Sequence, residues 1–372
     1  MTILHICSDY AKQSIYNNLV TSLGRQGHYQ IVYVPVRTAY EVGLYQNSTL
    51  ENTVYHYAHI LKKYHRLLFH LKIRTVLKDL ASRTDPSAVD IVHAHFLFSD
   101  GAVALRLKQQ YGKPYIVAVR NTDINIFFRY MKHLKGLAYK ILREAKQIIF
   151  LSPSYQEKLL NDILPSSVAR AIKNKCIVVP NGADEFWFDH MHERRELTTD
   201  TLRLLYVGDF SVNKNIPSII SAAKRLATVR PVQLIILGGG GNGDKTVKTA
   251  AIAEKALVTL LPRTSDKNEL LEQYRKADIF VMPSLFETFG IVYIEAMSQG
   301  LPVIYTESQG IDGYFPEGQI GYHVNPHNVQ DIADKINAIA GNYAQMAAGA
   351  TQAAEKFRWC KIADTYTRIY KS

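Results

Sequence analysis

Between Asp278 and Ile304 the chain reads Asp-Ile-Phe-Val-Met-Pro-Ser-Leu-Phe-Glu-Thr-Phe-Gly-Ile-Val-Tyr-Ile-Glu-Ala-Met-Ser-Gln-Gly-Leu-Pro-Val-Ile, and this succession leaves few folds open. Ile279 to Met282 form the short, continuous apolar run that a strand buried on both faces requires, and Pro283 stops it. Ile291, Ile294 and Met297 then recur at helical spacing. Gly300 suits the residue after a helix, and Pro302 forbids continuation before the next apolar run. Strand, loop, helix and strand in so short a span predict a parallel βαβ unit. The loop from Ser284 to Phe289 then lies at the carboxyl end of a strand, where open α/β sheets bind ligands.

Two glutamates mark this unit. Glu287 lies in the loop, and Glu295 lies about a turn and a half into the helix, so both can border one crevice. Between them the N–H groups of Phe289, Gly290 and Ile291 open the helix, and a helix N-terminus attracts phosphate through free amides and its dipole. The unit offers carboxylates to hydroxyl groups and amides to phosphate, the two demands of a nucleotide sugar. Taken alone, two glutamates at this spacing are more often solvated residues on an ordinary crossover. Their context is P-S-x-x-E-x-F-G-x-x-x-x-E-A-M-x-x-G-x-P-V-I, from Pro283 to Ile304. It resembles the donor-site signature of retaining GT-B glycosyltransferases, family 4 in particular. The resemblance implies that Glu287 meets the hydroxyls of the donor sugar and Glu295 the nucleotide ribose.

The same alternation of apolar runs and helical periods occurs through both halves of the chain. Ile3–Cys7, Ile31–Val36, Asp90–His95, Tyr115–Val119, Gln147–Leu151 and Ile177–Val179 read as strands of the first half. Leu202–Val207, Val232–Leu237 and Leu257–Leu261 read as strands of the second. The chain has 372 residues, enough for two ordinary domains. The expected fold is α/β: two doubly wound, Rossmann-like domains facing across a cleft, as in GT-B. Residues 1–180 form the acceptor-binding domain and 181–356 the donor-binding domain in this reading. A final amphipathic helix over 357–371, with Trp359, Ile362, Tyr366 and Ile369, packs back on the first, as the resemblance implies.

The resemblance extends to three further stretches. Gly208-Asp-Phe-Ser-Val-Asn-Lys214-Asn215 follows a strand, where the family carries G-R-x-x-x-x-K-G and neutralises the donor diphosphate. Gly208 and Lys214 match, Asp209 stands in place of Arg, and Asn215 replaces Gly. Pro262 and Arg263 fall where the family places the nucleotide base. Asp90 to Ile126 resembles the acceptor domain. There His95 is a site candidate, Arg120 stands where a histidine is common and is suited to a phosphate or carboxylate, and Asp123 is suited to a sugar hydroxyl. His93 is equally a core histidine. The glycine run Gly238–Gly241 lacks the helix and acidic residue of a dinucleotide fingerprint, so no NAD is inferred.

Charge is uneven. Residues 1–180 hold 24 Lys and Arg against 11 Asp and Glu, a net +13, whereas residues 181–372 hold 20 against 22, a net −2. The excess gathers in residues 56–83 and 127–140, where Lys and Arg alternate with Leu, Tyr and Phe. An ordinary helix with a solvated basic face accounts for such a run. Contact with an anionic membrane surface accounts for two of them in one domain. No helix-turn-helix, zinc finger or RNP-like pattern points to nucleic acid. The whole stretch from His56 to Arg83 reads as one or two helices.

Cys7, Cys176 and Cys360 are too few and too scattered for a disulfide framework or a zinc site, and fit a reducing cytoplasm. No stretch reaches the apolar length of a membrane span, and the first ten residues lack a signal-peptide pattern. The expectation is a cytoplasmic enzyme, peripheral on the inner membrane face. It transfers a sugar with retention from a UDP- or GDP-sugar to a glycan or lipid-linked acceptor in bacterial cell-surface polysaccharide synthesis, without metal or other cofactor. A GT-B epimerase, a sugar phosphorylase or a non-catalytic sugar-nucleotide-binding protein would share the donor motif. The changes at Asp209 and Arg120 keep the last of these open.

Overall fold

The computed structural model describes residues 1–193, 196, 197 and 199–372. The polar stretch 185–201 thus falls partly outside the described residues. The chain forms two compact units. The first comprises Met1–Leu151, Tyr155–Gly182 and Trp359–Ser372, and the second Ser152–Ser154 and Ala183–Arg358.

The first unit is built on a seven-stranded parallel sheet. Its strands are β1 (Thr2–Ile6), β2 (Tyr29–Val36), β3 (Thr53–His59), β4 (Ile91–Ala94), β5 (Tyr115–Val119), β6 (Gln147–Phe150) and β7 (Cys176–Val178). Their order is β3-β2-β1-β4-β5-β6-β7. The central strands β1, β4 and β5 are apolar along nearly their whole length because helices cover both faces. On one face lie α1 (Ser14–Arg25) and the helix Trp359–Lys371, which bury Leu19, Leu23, Trp359, Ile362 and Ile369 against Ile3, Ile91 and Ile116. On the other lie α2 (Phe69–Arg83), α3 (Ser99–Tyr111) and α4 (Lys135–Glu144). The final helix alone buries Trp359, Ile362, Tyr366, Ile369 and Tyr370, a hydrophobic contribution of roughly 10 kcal/mol. Gly182 lets Trp359 seat, since a Cβ there would stand 2.6 Å from the indole.

One stretch of this unit corrects the sequence reading. His56 to His59 are strand, the second half of β3, and the α-helix starts only at Phe69 after a short 3-10 turn at Lys63–Arg66. Thr53-Val-Tyr-His-Tyr-Ala-His is β-branched and aromatic, and it pairs along its length with β2. As an edge strand it is only half-buried, so it lacks the continuous apolar run that marked its neighbours. The run Ile91–Ala94 is therefore the fourth strand of the sheet and not the third.

The second unit repeats the plan with six parallel strands: β8 (Leu202–Gly208), β9 (Val232–Gly238), β10 (Val258–Pro262), β11 (Ile279–Val281), β12 (Val303–Thr306) and β13 (Gly321–Val324). Their order is β10-β9-β8-β11-β12-β13. Helices Asp244–Ala253 and Tyr343–Ala354, which the sequence reading passed over, complete its two helical layers. In each sheet the strand order reverses beside the first strand, between β1 and β4 and between β8 and β11. The loops leaving the carboxyl ends at such a reversal splay apart and leave a crevice. In the second unit those loops are 209–215 and 283–290.

Candidate donor and acceptor sites

Lys214 and Glu287 meet at the reversal point of the second sheet. Lys214 ends a 3-10 turn after β8, and its Nζ donates to Glu287 Oε2 at 2.8 Å, with both side chains about five-sixths buried (17% and 15% exposed). The two loops are laced together by Asn213. Its carbonyl accepts from Leu285 N (2.8 Å), its side-chain oxygen from Phe286 N (3.0 Å), and its amide donates to Phe286 O (2.8 Å). Glu287 is held further by Gln309 Oε1, which accepts from Glu287 N (3.2 Å), and by Gly310 N, which donates to Glu287 O (2.9 Å).

Asn215, the residue that replaces the family glycine, has φ +55°. This left-handed conformation suits glycine, and Asn is among the few other residues that adopt it readily. Its side chain adds three ties glycine cannot make: it donates to Pro283 O (3.2 Å) and Pro326 O (2.7 Å) and accepts from Ser218 Oγ (2.8 Å). Asp209 does not leave the site acidic without compensation. Burial alone would raise its carboxyl, but hydrogen bonds from Ser211 and the positive charges of Lys214 and Arg263 hold it below the usual carboxylate range. Arg263, exposed just beyond β10, thus adds its charge to the same corner. The glycine run after β9 supports this loop: Phe210 N donates to Gly240 O (2.9 Å) and Gly243 N to Phe210 O (2.8 Å).

Gly290 caps the helix Ile291–Ser298 with φ +80°, and a Cβ on it would meet the Tyr293 ring at 2.5 Å. No acceptor among the described residues takes the amide hydrogens of Phe289, Gly290 or Ile291. The Phe289 ring itself is buried against Tyr314 and Phe357, which leaves only its backbone for a ligand. One turn on, Glu295 Oε2 accepts from Tyr274 OH (3.0 Å). Burial pushes the Glu295 carboxyl up to about 7 against the hydrogen bond from Tyr274. Tyr274 comes from the helix Lys267–Lys276, and no sequence signal coupled it to Glu295.

The first unit gathers a different set at the ends of β1, β4 and β5. His5, His93 and His95 stack with ring centroids 4.0 to 5.4 Å apart, and all three are wholly buried. His5 Nδ1 and His95 Nε2 share a hydrogen bond (3.1 Å), His5 Nε2 meets Gln30 Oε1 (3.1 Å), and His93 Nδ1 meets Tyr370 OH (2.8 Å). Burial pushes all three imidazoles down, His5 to about 3, so they are neutral. They are the one group among the described residues spaced to hold a metal ion. Their mutual hydrogen bonds and the neighbouring Arg120 guanidinium suit a neutral polar core better than a cation site.

Arg120 Nε donates to His95 O (3.3 Å), its guanidinium lies over the Tyr16 ring, and its buried Nη1 has no hydrogen-bond partner. Asp123 accepts from the amides of Arg120 (2.9 Å), Leu97 (3.1 Å) and Phe98 (3.2 Å), so its oxygens are already engaged in tying the two loops. Burial pushes its carboxyl up to about 6. Asp100, in the first turn of α3, went unnoticed in the sequence. It accepts from the Ser8 hydroxyl and amide, burial pushes it up to about 7, and Lys72 lies close by, bonded to Ser99 Oγ (2.7 Å). An acid at a helix start is commonplace, so nothing singled it out.

Family models match nearly the whole chain. Residues 15–185 match the glycosyltransferase family 4 model and residues 188–357 that of glycosyl transferases group 1. A D-inositol 3-phosphate glycosyltransferase of Stackebrandtia nassauensis is 27% identical over 311 residues, covering 77% of this chain and 68% of its own. A glycogen synthase of Mycobacterium tuberculosis is 26% identical over 313 residues, covering 81% and 73%. Among solved structures, the sucrose-phosphate synthase of Thermosynechococcus elongatus superposes with a TM-score of 0.75 at 19% identity, over 100% of this chain and 98% of its own. The lipopolysaccharide outer core galactosyltransferase WaaB gives 0.73 at 15%, over 99% of each. The fold is therefore GT-B. The chain belongs to glycosyltransferase family 4, the glycosyl transferases group 1, and is a retaining enzyme that uses nucleotide-sugar donors.

Proposed function

We propose that this enzyme moves a hexose from a UDP- or GDP-sugar to a glycan or lipid-linked acceptor of a bacterial cell-surface polysaccharide, without a metal ion. The observation that carries the reading is the Lys214–Glu287 pair beside the free amides at Gly290. In this reading Lys214, Arg263 and the amides of Phe289, Gly290 and Ile291 take the diphosphate, replacing the charge that an Arg at Asp209 would supply. Gly208 lets the nucleotide approach the end of β8, and Glu295 takes the ribose hydroxyls. Glu287, turned from Lys214 toward the sugar, meets the hydroxyls nearest the bond that breaks. Departure of the diphosphate leaves an oxocarbenium-like sugar, and fixed charges near both fragments lower the barrier. The Anabaena protein HepE, of the same fold at 15% identity, has been solved with UDP, a donor fragment of this class.

On the acceptor unit, the orphaned Arg120 Nη1 is the donor available to a phosphate or carboxylate. Asp123 and His95 act by holding it, through the Arg120 amide and the His95 carbonyl. No helix among the described residues is long and apolar enough to cross a membrane. Residues 56–83 and 127–140 instead rest on an anionic membrane from the cytoplasmic side. The two runs are packed together through Phe69 and Phe127 (ring centroids 6.2 Å apart), and Phe127 stacks on Phe98 (4.5 Å). Leu67, Leu68 and Leu71 are 87%, 52% and 43% exposed beside them. Each well-placed cation there adds about 1 kcal/mol near an anionic surface. Thermal shift with a panel of UDP-, GDP- and ADP-sugars, followed by turnover of the best donor with acceptor present, tests the reading. Failure of every uridine and guanosine donor would refute it.

A further inference from the structure

We infer that a groove between α2 and α3 is a binding site for the phosphate headgroup of an anionic phospholipid. The inference rests on the membrane-contact reading above and deepens it from a charged surface to a built subsite. A cavity of about 340 Å³ opens between these helices and α4. Its floor is apolar: Ile73 and Leu77 from α2, Ala102 from α3, and Leu137 from α4. Its rim is polar, with the cations Arg74 from α2 and Arg106 from α3 beside His70 and Gln110. No acidic residue lines it.

The sequence places these residues there by simple periodicity. His70, Ile73, Arg74 and Leu77 fall at helical spacing on one face of α2, so the face turned to α3 alternates polar and aliphatic residues. Arg106 and Gln110 do the same on α3. Arg74 and Arg106 form no ion pair with a carboxylate among the described residues; Arg106 Nη1 reaches only Gln109 Oε1 (3.1 Å). Two guanidiniums over an aliphatic floor, without a carboxylate between them, call for an occupant that is anionic at one end and apolar at the other. A guanidinium is the side chain best shaped for phosphate oxygens. The exposed Leu67 and Leu68, just before α2, and Leu71 within it flank His70, so the acyl end has an apolar surface to leave by. A free sugar phosphate would satisfy the rim and waste the floor; a nucleic acid would find no Phe, Tyr or Trp in the cavity on which to stack.

The test uses the full chain and dihexanoyl-phosphatidylglycerol below its micelle concentration, titrated by calorimetry, with inorganic phosphate as the comparison ligand. Saturable lipid binding is expected. It should weaken about tenfold or more in Arg74→Gln/Arg106→Gln and recover in part in Arg74→Lys/Arg106→Lys. Lys63→Gln/Lys78→Gln removes the same net charge from the same unit outside the groove, and should leave the affinity within about twofold. Equal weakening by both Gln pairs, inorganic phosphate binding as tightly as the lipid, or no saturable binding would each overturn the groove. Sedimentation with phosphatidylglycerol-containing vesicles at low salt tests the underlying membrane reading separately. A wild-type chain that stays in the supernatant overturns that reading, and wild-type sedimentation with no effect of the groove variants overturns the groove alone.

Discussion

Lys214 and Glu287 lie 73 residues apart in sequence and 2.8 Å apart in space, and their ion pair joins the two loops at the reversal point of the second unit's sheet. In the absence of donor each neutralises the other. In the proposed reading a bound diphosphate competes for the lysine and sugar hydroxyls compete for the carboxylate, which makes the pair a preformed pair of contacts for the two ends of the bond that breaks.

Glu287→Gln should therefore lower kcat well beyond any change in donor affinity, because the charge is needed where positive character develops. Steady-state kinetics of the variant with the best donor, alongside a melting curve, reads this directly. Full kcat in a folded Glu287→Gln would exclude the role.

Glu295 should separate from it. A ribose contact is the same in ground and transition states, so at about pH 8, where the carboxyl is ionised, Glu295→Gln raises KM by the worth of a hydrogen bond to a charged group, about 1.5–3 kcal/mol, and leaves kcat nearly unchanged. Lost kcat at constant KM would contradict that assignment.

The same carboxyl has a pH signature. Burial raises it to about 7 from an ordinary 4.5. The folded chain thus keeps a proton that the unfolded chain has released. That contribution is whole below about 4.5 and is lost as pH rises through about 7. Urea melts at about pH 5 and about pH 8 should show a smaller loss of stability in Glu295→Gln than in wild type. Identical losses would show that Glu295 is not the group responsible.

Asn215 distinguishes conformation from contact. Asn215→Ala must hold a left-handed residue without the αL tolerance of Asn, costing about 1–2 kcal/mol, and it loses the ties to Pro283, Pro326 and Ser218, about 1 kcal/mol each. Asn215→Gly keeps the conformation and loses only the ties. Thermal melts should rank wild type above Gly and Gly above Ala. Ala equal to Gly would mean that the backbone angle is not what the position requires.

Much of the candidate donor site was legible because Pro283 to Ile304 carries loop, cap, helix and both glutamates in one contiguous stretch. Gly208, Lys214 and Arg263 were reachable from strand ends. What stayed hidden came from elsewhere in the chain. Tyr274 reaches Glu295 from another helix, Asn213 laces two loops by hydrogen bonds that leave no sequence pattern, and the Ser8–Asp100 contact joins residues 92 apart. The strand β3 was hidden for a different reason: it is an edge strand whose half-buried alternation merges into the basic run that follows. The sequence showed only that Asn replaces Gly at 215, and its φ shows that the left-handed conformation is kept.

The most direct test of the account is calorimetric titration of UDP and GDP, in the presence of chelator, into wild type and Lys214→Ala. The account predicts saturable binding of one nucleotide by wild type that survives the chelator, weakened about tenfold or more in Lys214→Ala as a charge-assisted contact to phosphate is lost. Equal affinity in the two proteins, or binding that vanishes with the chelator, would contradict it.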